Sequence, residues 1–139
     1  MNFKTIPQML YGSIDKNPNK NIFNYKKNNE WCSLTGNDIR IHIHKIINGL
    51  RKHSINEKDK VAILSSTSYK WALCDYGILC NGSTTVTVYP TLVKEQIKYI
   101  LNNSESKLIF VENLEQYNKI SDTINECPKL NTVVLMDDS

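Results

Sequence analysis

The stretch Val86-Thr-Val-Tyr-Pro-Thr-Leu-Val-Lys-Glu-Gln-Ile-Lys-Tyr-Ile-Leu-Asn-Asn-Ser104, followed at once by Lys107-Leu-Ile-Phe-Val111, constrains the fold more than any other part of the chain. A β-branched run stops at Tyr89-Pro90, because proline cannot donate to a strand ladder. A helix follows with Ile97, Ile100 and Leu101 on one face, closed by Asn102-Asn103-Ser104. A second apolar strand comes next. This is a βαβ unit with a sharp Tyr-Pro-Thr turn at the carboxyl end of its first strand. Open parallel sheets bind ligands at that edge.

The same alternation extends along residues 59–139. Strands are expected at Val61–Leu64, Ser83–Val88, Leu108–Val111 and Thr132–Leu135. Helices are expected at Ser68–Cys80, Lys94–Asn102 and Leu114–Asn125. The strands are continuously apolar or β-branched, the pattern of a parallel sheet covered on both faces. Before this region, Thr5 caps a helix over Ile6–Asp15 with Pro7 in its first turn, and Asn17-Pro18-Asn19 ends it. Ile22, Phe23 and Tyr25 open a hairpin that turns at Lys26–Asn29 and returns from Trp31 to Leu34. Thr35 and Asp38 then cap a long helix to about His53, with an apolar stripe at Ile39, Ile43, Ile46, Ile47 and Leu50. The fold class is therefore α/β: an N-terminal helix and β-hairpin, then βα units forming a parallel sheet covered by helices. Residues 1–58 and 59–139 are two parts of one portion, with no linker between them.

Charge is uneven. Residues 1–70 carry twelve Lys and Arg against five Asp and Glu, and residues 71–139 carry five against nine. A basic half attracts nucleic acid, anionic lipid or a nucleotide-like ligand when its charges cluster, but dispersed charges read as solvated helix faces. No nucleic-acid module or aromatic-rich basic face is present, so no nucleic-acid partner is expected. The four cysteines, Cys32, Cys74, Cys80 and Cys127, have no metal-type spacing and read as free buried thiols of a reducing compartment. His42 and His44, two apart on a helix, face different ways and do not make a zinc pair. His53 belongs to a helix C-terminus. Trp31 and Trp71 read as packing residues. Glu112, Glu115, Asp137 and Asp138 form no evident catalytic pair, and no metal site is expected. Ser65-Ser66-Thr67-Ser68 lies at a strand-helix junction but lacks the glycine of a phosphate cradle, so one of Ser66, Thr67 or Ser68 is expected to cap the helix. The apolar stretch Trp71–Cys80 is too short to span a bilayer.

Four ordered blocks resemble a known family. Thr5-Ile-Pro-Gln-Met-Leu10 resembles its opening helix. Glu30-Trp31 with Leu34-Thr35 resembles its first hairpin and helix cap. Asp59-Lys-Val-Ala-Ile-Leu-Ser65 with Trp71-Ala72 resembles its first core strand and following helix. Val88-Tyr-Pro-Thr91 through Ser104 resembles its next turn and helix. Together they are similar to the N-terminal part of the adenylate-forming superfamily, in particular the AMP-forming long-chain fatty acid–CoA ligases. The resemblance implies ATP, Mg2+, CoA and a fatty acid as cofactors and substrates of a complete enzyme, and none bound by these residues. The family's Ser/Thr/Gly-rich phosphate loop ending in Pro-Lys-Gly is not found here, nor is its C-terminal domain. The resemblance therefore implies a front portion without catalytic residues, inactive alone, cytoplasmic, with peripheral membrane contact or a second chain completing the enzyme left open. It also implies that Tyr89, Pro90 and Thr91 line the channel taken by the CoA pantetheine arm. Read from the residues alone, the same segment is a turn in which Thr91 caps the next helix. A stand-alone flavodoxin-like binding module remains the alternative to the ligase portion.

Overall fold

The structure, a computed structural model, describes residues 3–137. Helix α1 spans Ile6–Lys16 and hairpin strands β1 and β2 span Asn21–Lys27 and Glu30–Thr35. Helix α2 spans Gly36–Lys52. Then come β3 (Lys60–Leu64), α3 (Tyr69–Cys80), β4 (Thr84–Val88), α4 (Lys94–Ser104) and β5 (Leu108–Val111). Helix α5 (Leu114–Ile120), a 3-10 turn (Ser121–Glu126) and β6 (Thr132–Leu135) complete the chain.

The βα region builds a four-stranded parallel sheet in the order β4-β3-β5-β6. Both central strands, β3 and β5, are buried almost throughout, as their unbroken apolar runs require. The edge strands are not: β4 and β6 keep exposed or half-buried residues. Continuous β-branching at these edges reflects β propensity, and full cover on both faces does not follow from it.

Side-chain alternation sends Ala62, Leu64, Ile109 and Val111 to one face, where they meet Ile97 and Leu101 of α4 and Ile120 of α5. Val61, Ile63, Leu108 and Phe110 go to the other face and meet Leu50, Cys74 and Ile78. A third cluster joins Leu10 and Ile14 of α1 to Ile39 and Ile43 of α2 and Leu73 of α3. The hairpin lies along α3 through stacked rings, Phe23 on Tyr76 and Tyr25 on Tyr69, with centroids 6.5 and 3.9 Å apart.

Several boundaries differ from expectation for local reasons. The hairpin turn is Asn28-Asn29 alone, both at positive φ, so Lys26 and Lys27 remain in β1. The helix expected over Leu114–Asn125 tightens into 3-10 geometry after Ile120. Helix α4 continues to Ser104 and stops at the left-handed Glu105. The Thr35–Asp38 capping box forms, and its hydrogen bonds from Thr35 hold the Asp38 carboxyl below its usual range. Trp31 is a correction: it is 72% exposed, because strand alternation turns Cys32 and Leu34 inward and leaves Trp31 outward. The Lys26 ammonium sits over its ring, 5.3 Å from the centroid. Trp71 does pack, against the cluster around Val61 and Phe110. All four cysteines are free, but only Cys74 and Cys127 are buried, while Cys32 and Cys80 are half-buried. Among the described residues no helix is long and apolar enough to cross a membrane.

Candidate functional site

A parallel sheet ordered β4-β3-β5-β6 has a switch point between its central strands. Helix α3 leaves β3 toward one face, and the chain leaves β5 toward the other, so the carboxyl ends of β3 and β5 frame a crevice. The loops at this edge are Ser65–Ser68 after β3, Tyr89–Val93 after β4, Glu112-Asn113 after β5 and the residues after Leu135.

In the crevice, the Ser66 backbone N–H donates to Glu112 Oε2 at 3.1 Å. The protein's own carboxylate thus takes an amide that a phosphate oxygen would need. Ser68 caps α3, accepting from the Trp71 N–H at 3.1 Å. The serine-rich junction is therefore a helix start in which the Ser66 and Trp71 N–H groups are already engaged.

The Tyr89-Pro90-Thr91 segment leaves the edge strand beside it, since Val88 pairs in register with Leu64. The Leu92 N–H donates to the Tyr89 carbonyl at 3.2 Å, closing a tight turn. Tyr89 is 72% exposed and Thr91 is exposed. The Pro90 carbonyl accepts from the Lys119 ammonium, which ties this turn to α5. Thr91 does not cap the helix. The turn uses two further residues, and the cap position falls on Val93, which has no side-chain oxygen to offer. Gln96 Oε1 accepts from the Val93 N–H at 3.3 Å instead. Thr91 lines an open depression of about 500 Å³ with Lys94, Glu95, Lys119 and Asp122.

A second concavity lies on the sheet face beside α2. His42, Ile46, Phe110 and Val134 line two adjoining hollows of about 230 and 300 Å³ there. Lys70 closes one end, its ammonium donating to the Met136 carbonyl at 2.8 Å. This is the part of the sheet, over β5 and β6, that α2 and α3 leave open.

Glu112 and Lys119 are the residues whose part in this edge was missed. An acid directly after an apolar strand was the available signal for Glu112; nothing local marks Lys119. Among the described residues no group of three or more His, Cys, Asp or Glu converges. His42 lines the sheet-face groove while the His44 ring lies 6.3 Å from Tyr11, so the two do face apart. His53 is the C-cap of α2. Asp137 is exposed, and Asp138 lies outside the described residues.

A sequence profile of the family described as AMP-binding enzyme matches residues 11–139. The long-chain-fatty-acid–CoA ligase FadD15 of Mycobacterium tuberculosis is 26% identical over 129 residues, 93% of this chain and 22% of that protein. The long-chain-fatty-acid–CoA ligase ACSBG1 of Rattus norvegicus is 26% identical over 131 residues, 94% of this chain and 18% of that protein. The chain thus spans about a fifth of the length of the curated relatives it matches. Among solved structures, a putative long-chain-fatty-acid CoA ligase from Rhodopseudomonas palustris superposes with a TM-score of 0.85 at 15% identity, over 97% of this chain and 33% of that one. A Mycobacterium tuberculosis fatty acyl CoA synthetase superposes with a TM-score of 0.82 at 19% identity, over 95% of this chain and 26% of that one. At such identities the superpositions speak for the fold.

Proposed function

Because the chain belongs to the AMP-binding enzyme family, we propose that it is the N-terminal part of a long-chain fatty acid–CoA ligase, with residues 1–139 forming one portion of the adenylate-forming domain. In the complete enzyme a fatty acid carboxylate attacks the α-phosphate of ATP, giving acyl-adenylate and pyrophosphate. The CoA thiolate then attacks the acyl carbonyl and AMP leaves. The observation that carries this reading is the family match along nearly the whole chain.

Among the described residues, those at this edge do not form a cradle for nucleotide phosphates or magnesium. Ser66 and Ser68 are already engaged at the switch point, and no acid cluster converges among the described residues. Magnesium in such a reaction would neutralise phosphate charge. The proposed role of this portion is positional. Its carboxyl-edge loops wall the site, and Tyr89, Pro90 and Thr91 line the path of the CoA pantetheine arm. Two features support that role: Tyr89 is exposed at the rim, and the Lys119 contact to Pro90 fixes the turn against α5. A cytoplasmic enzyme with peripheral membrane contact, completed within one polypeptide or by a second chain, belongs to the same reading.

The strand order is also that of flavodoxin-like sheets, which keeps a stand-alone binding module as the second reading. Against it stands the glycine-free first βα loop.

Two measurements test the proposal. Residues 1–139 alone are expected to give no fatty-acid-dependent ATP–pyrophosphate exchange. Exchange that disappears when the fatty acid is omitted would overturn the inactivity of this portion. In the enzyme completed with the remaining segments, Tyr89→Ala is expected to slow thioester formation about fivefold, the loss of one ~1 kcal/mol aromatic contact, with adenylation little changed. Equal losses in both half-reactions would make the turn a folding element.

A further inference from the structure

Helices α1 and α2 lie side by side. The Arg40 guanidinium pairs with Asp15 and stands over the Tyr11 ring, 5.3 Å from its centroid, and the His44 ring lies 6.3 Å from Tyr11. Leu10 and Ile14 of α1 and Ile39 and Ile43 of α2 point into the core. The opposite faces of both helices therefore look outward together.

On α1 that outward line is Met9, Gly12 and Lys16, spaced three and four residues apart. The Phe3 ring lies across Gly12, where a Cβ would come within 2.6 Å of Phe3 Cε1. On α2 the line is Ile41, Lys45, Asn48 and Lys52, spaced four, three and four, and all four are exposed. Three large apolar side chains stand in the open here: Phe3, Met9 and Ile41 are 40, 46 and 52% exposed. Around them stand the cations Lys16, Lys45 and Lys52. The acids of the two helices are both engaged, Asp15 with Arg40 and Asp38 with the Thr35 cap.

Apolar side chains interleaved with lysines on the outward sides of two adjacent helices follow the pattern of an interfacial helix, whose apolar groups enter the headgroup boundary while its cations meet anionic lipid. A second copy of the chain does not suit this face, because self-association would press lysine against lysine. We propose that the α1–α2 face docks the protein on an anionic membrane surface through Phe3, Met9 and Ile41 together with Lys16, Lys45 and Lys52. The proposal identifies the surface used in the membrane contact of the ligase reading. Its test needs no catalysis, so failure of either leaves the other standing.

The experiment is cosedimentation of the chain with vesicles of phosphatidylcholine, with and without phosphatidylserine, at low and high salt. Binding is expected to the anionic vesicles and to fall as salt rises. The double variant Lys45→Gln/Lys52→Gln is expected to bind about thirtyfold more weakly, at about one power of five per lysine. Lys94→Gln/Lys129→Gln removes the same charge from α4 and the segment before β6, across the sheet, and is expected to bind like the unaltered chain. Ile41→Gln, exposed and harmless to the core, is expected to weaken binding severalfold at constant charge. Circular dichroism on each variant verifies that the fold is kept. The proposal is overturned by absence of binding to anionic vesicles, by equal losses in the two lysine pairs, or by an unchanged Ile41→Gln. That last result would mark a general polyanion site.

Discussion

Helix α2 carries both the proposed docking face and one wall of the sheet-face groove, and its distance from α3 is set at Gly77. A Cβ built on Gly77 would stand 2.4 Å from Ile46 Cγ2 and 2.8 Å from Ile46 Cβ. Ordinary carbon contacts lie at about 3.5–4.0 Å. Ile46 is β-branched and held largely to one χ1 rotamer in a helix, and its Cβ is fixed to the backbone. Gly77→Ala therefore has to push α2 outward by about an ångström. Overpacking of this kind costs about 1–3 kcal/mol, against which alanine recovers roughly 1 kcal/mol of helix propensity. The net expectation is a destabilisation of up to about 2 kcal/mol. Gly49, also inside a helix, has nothing within 4 Å of its built Cβ. Gly49→Ala should instead stabilise by about 0.5–1 kcal/mol. One chemical change thus takes opposite signs at two helical glycines. Urea unfolding at constant m-value measures both. A double-mutant cycle with Ile46→Ala should recover at least ~1 kcal/mol of the Gly77→Ala loss. Finding Gly77→Ala as stable as Gly49→Ala, or no coupling to Ile46, would refute the packing argument.

Two further outcomes can be measured on the same chain. The Lys107 ammonium, 2.7 Å from Asp59, holds that carboxyl below its usual range, with the Asn56 N–H helping against the opposing effect of burial. A carboxyl depressed in the folded state contributes stability above its unfolded pKa, near 4, and loses it as pH falls through the folded value. Lys107→Met should remove roughly 0.5 kcal/mol at neutral pH and flatten the pH dependence below about pH 4. An unchanged acid limb in urea titrations would contradict the pairing. The Cys74 thiol is pushed up to about 12 by burial, with the Asp75 charge adding to it. Iodoacetamide at pH 8 should therefore spare Cys74 until the chain unfolds, and native-state alkylation at the denatured rate would refute this.

The parts of the fold legible in the sequence are those fixed by local chemistry. Thr35 and Asp38 announce a helix start because the box needs only residues three apart. The runs Val61–Leu64 and Leu108–Val111 announce buried central strands because little else has that composition at that length. Trp31 was not legible: a two-residue period says that neighbours face apart, and the packing partner decides which of them faces in. Here the partner is α3, whose Tyr69 and Tyr76 take Tyr25 and Phe23 and leave Trp31 on the far side. Thr91 failed as a cap for a related reason, since the length of the turn after Pro90 depends on where α4 must land to bury Ile97 and Leu101. The candidate site lies furthest from sequence reasoning. Its defining contact, Glu112 on the Ser66 N–H, joins residues 46 apart, and it exists because β3 and β5 are neighbours although β4 lies between them in the chain. Strand order is decided by which helix covers which face, and only then does an ordinary surface acid become the group that fills the switch point. The same logic bears on function. In the ligase reading proposed above, the edge where Glu112 holds the Ser66 N–H serves as a wall, and the exposed Tyr89 turn is the part that meets groups brought from elsewhere.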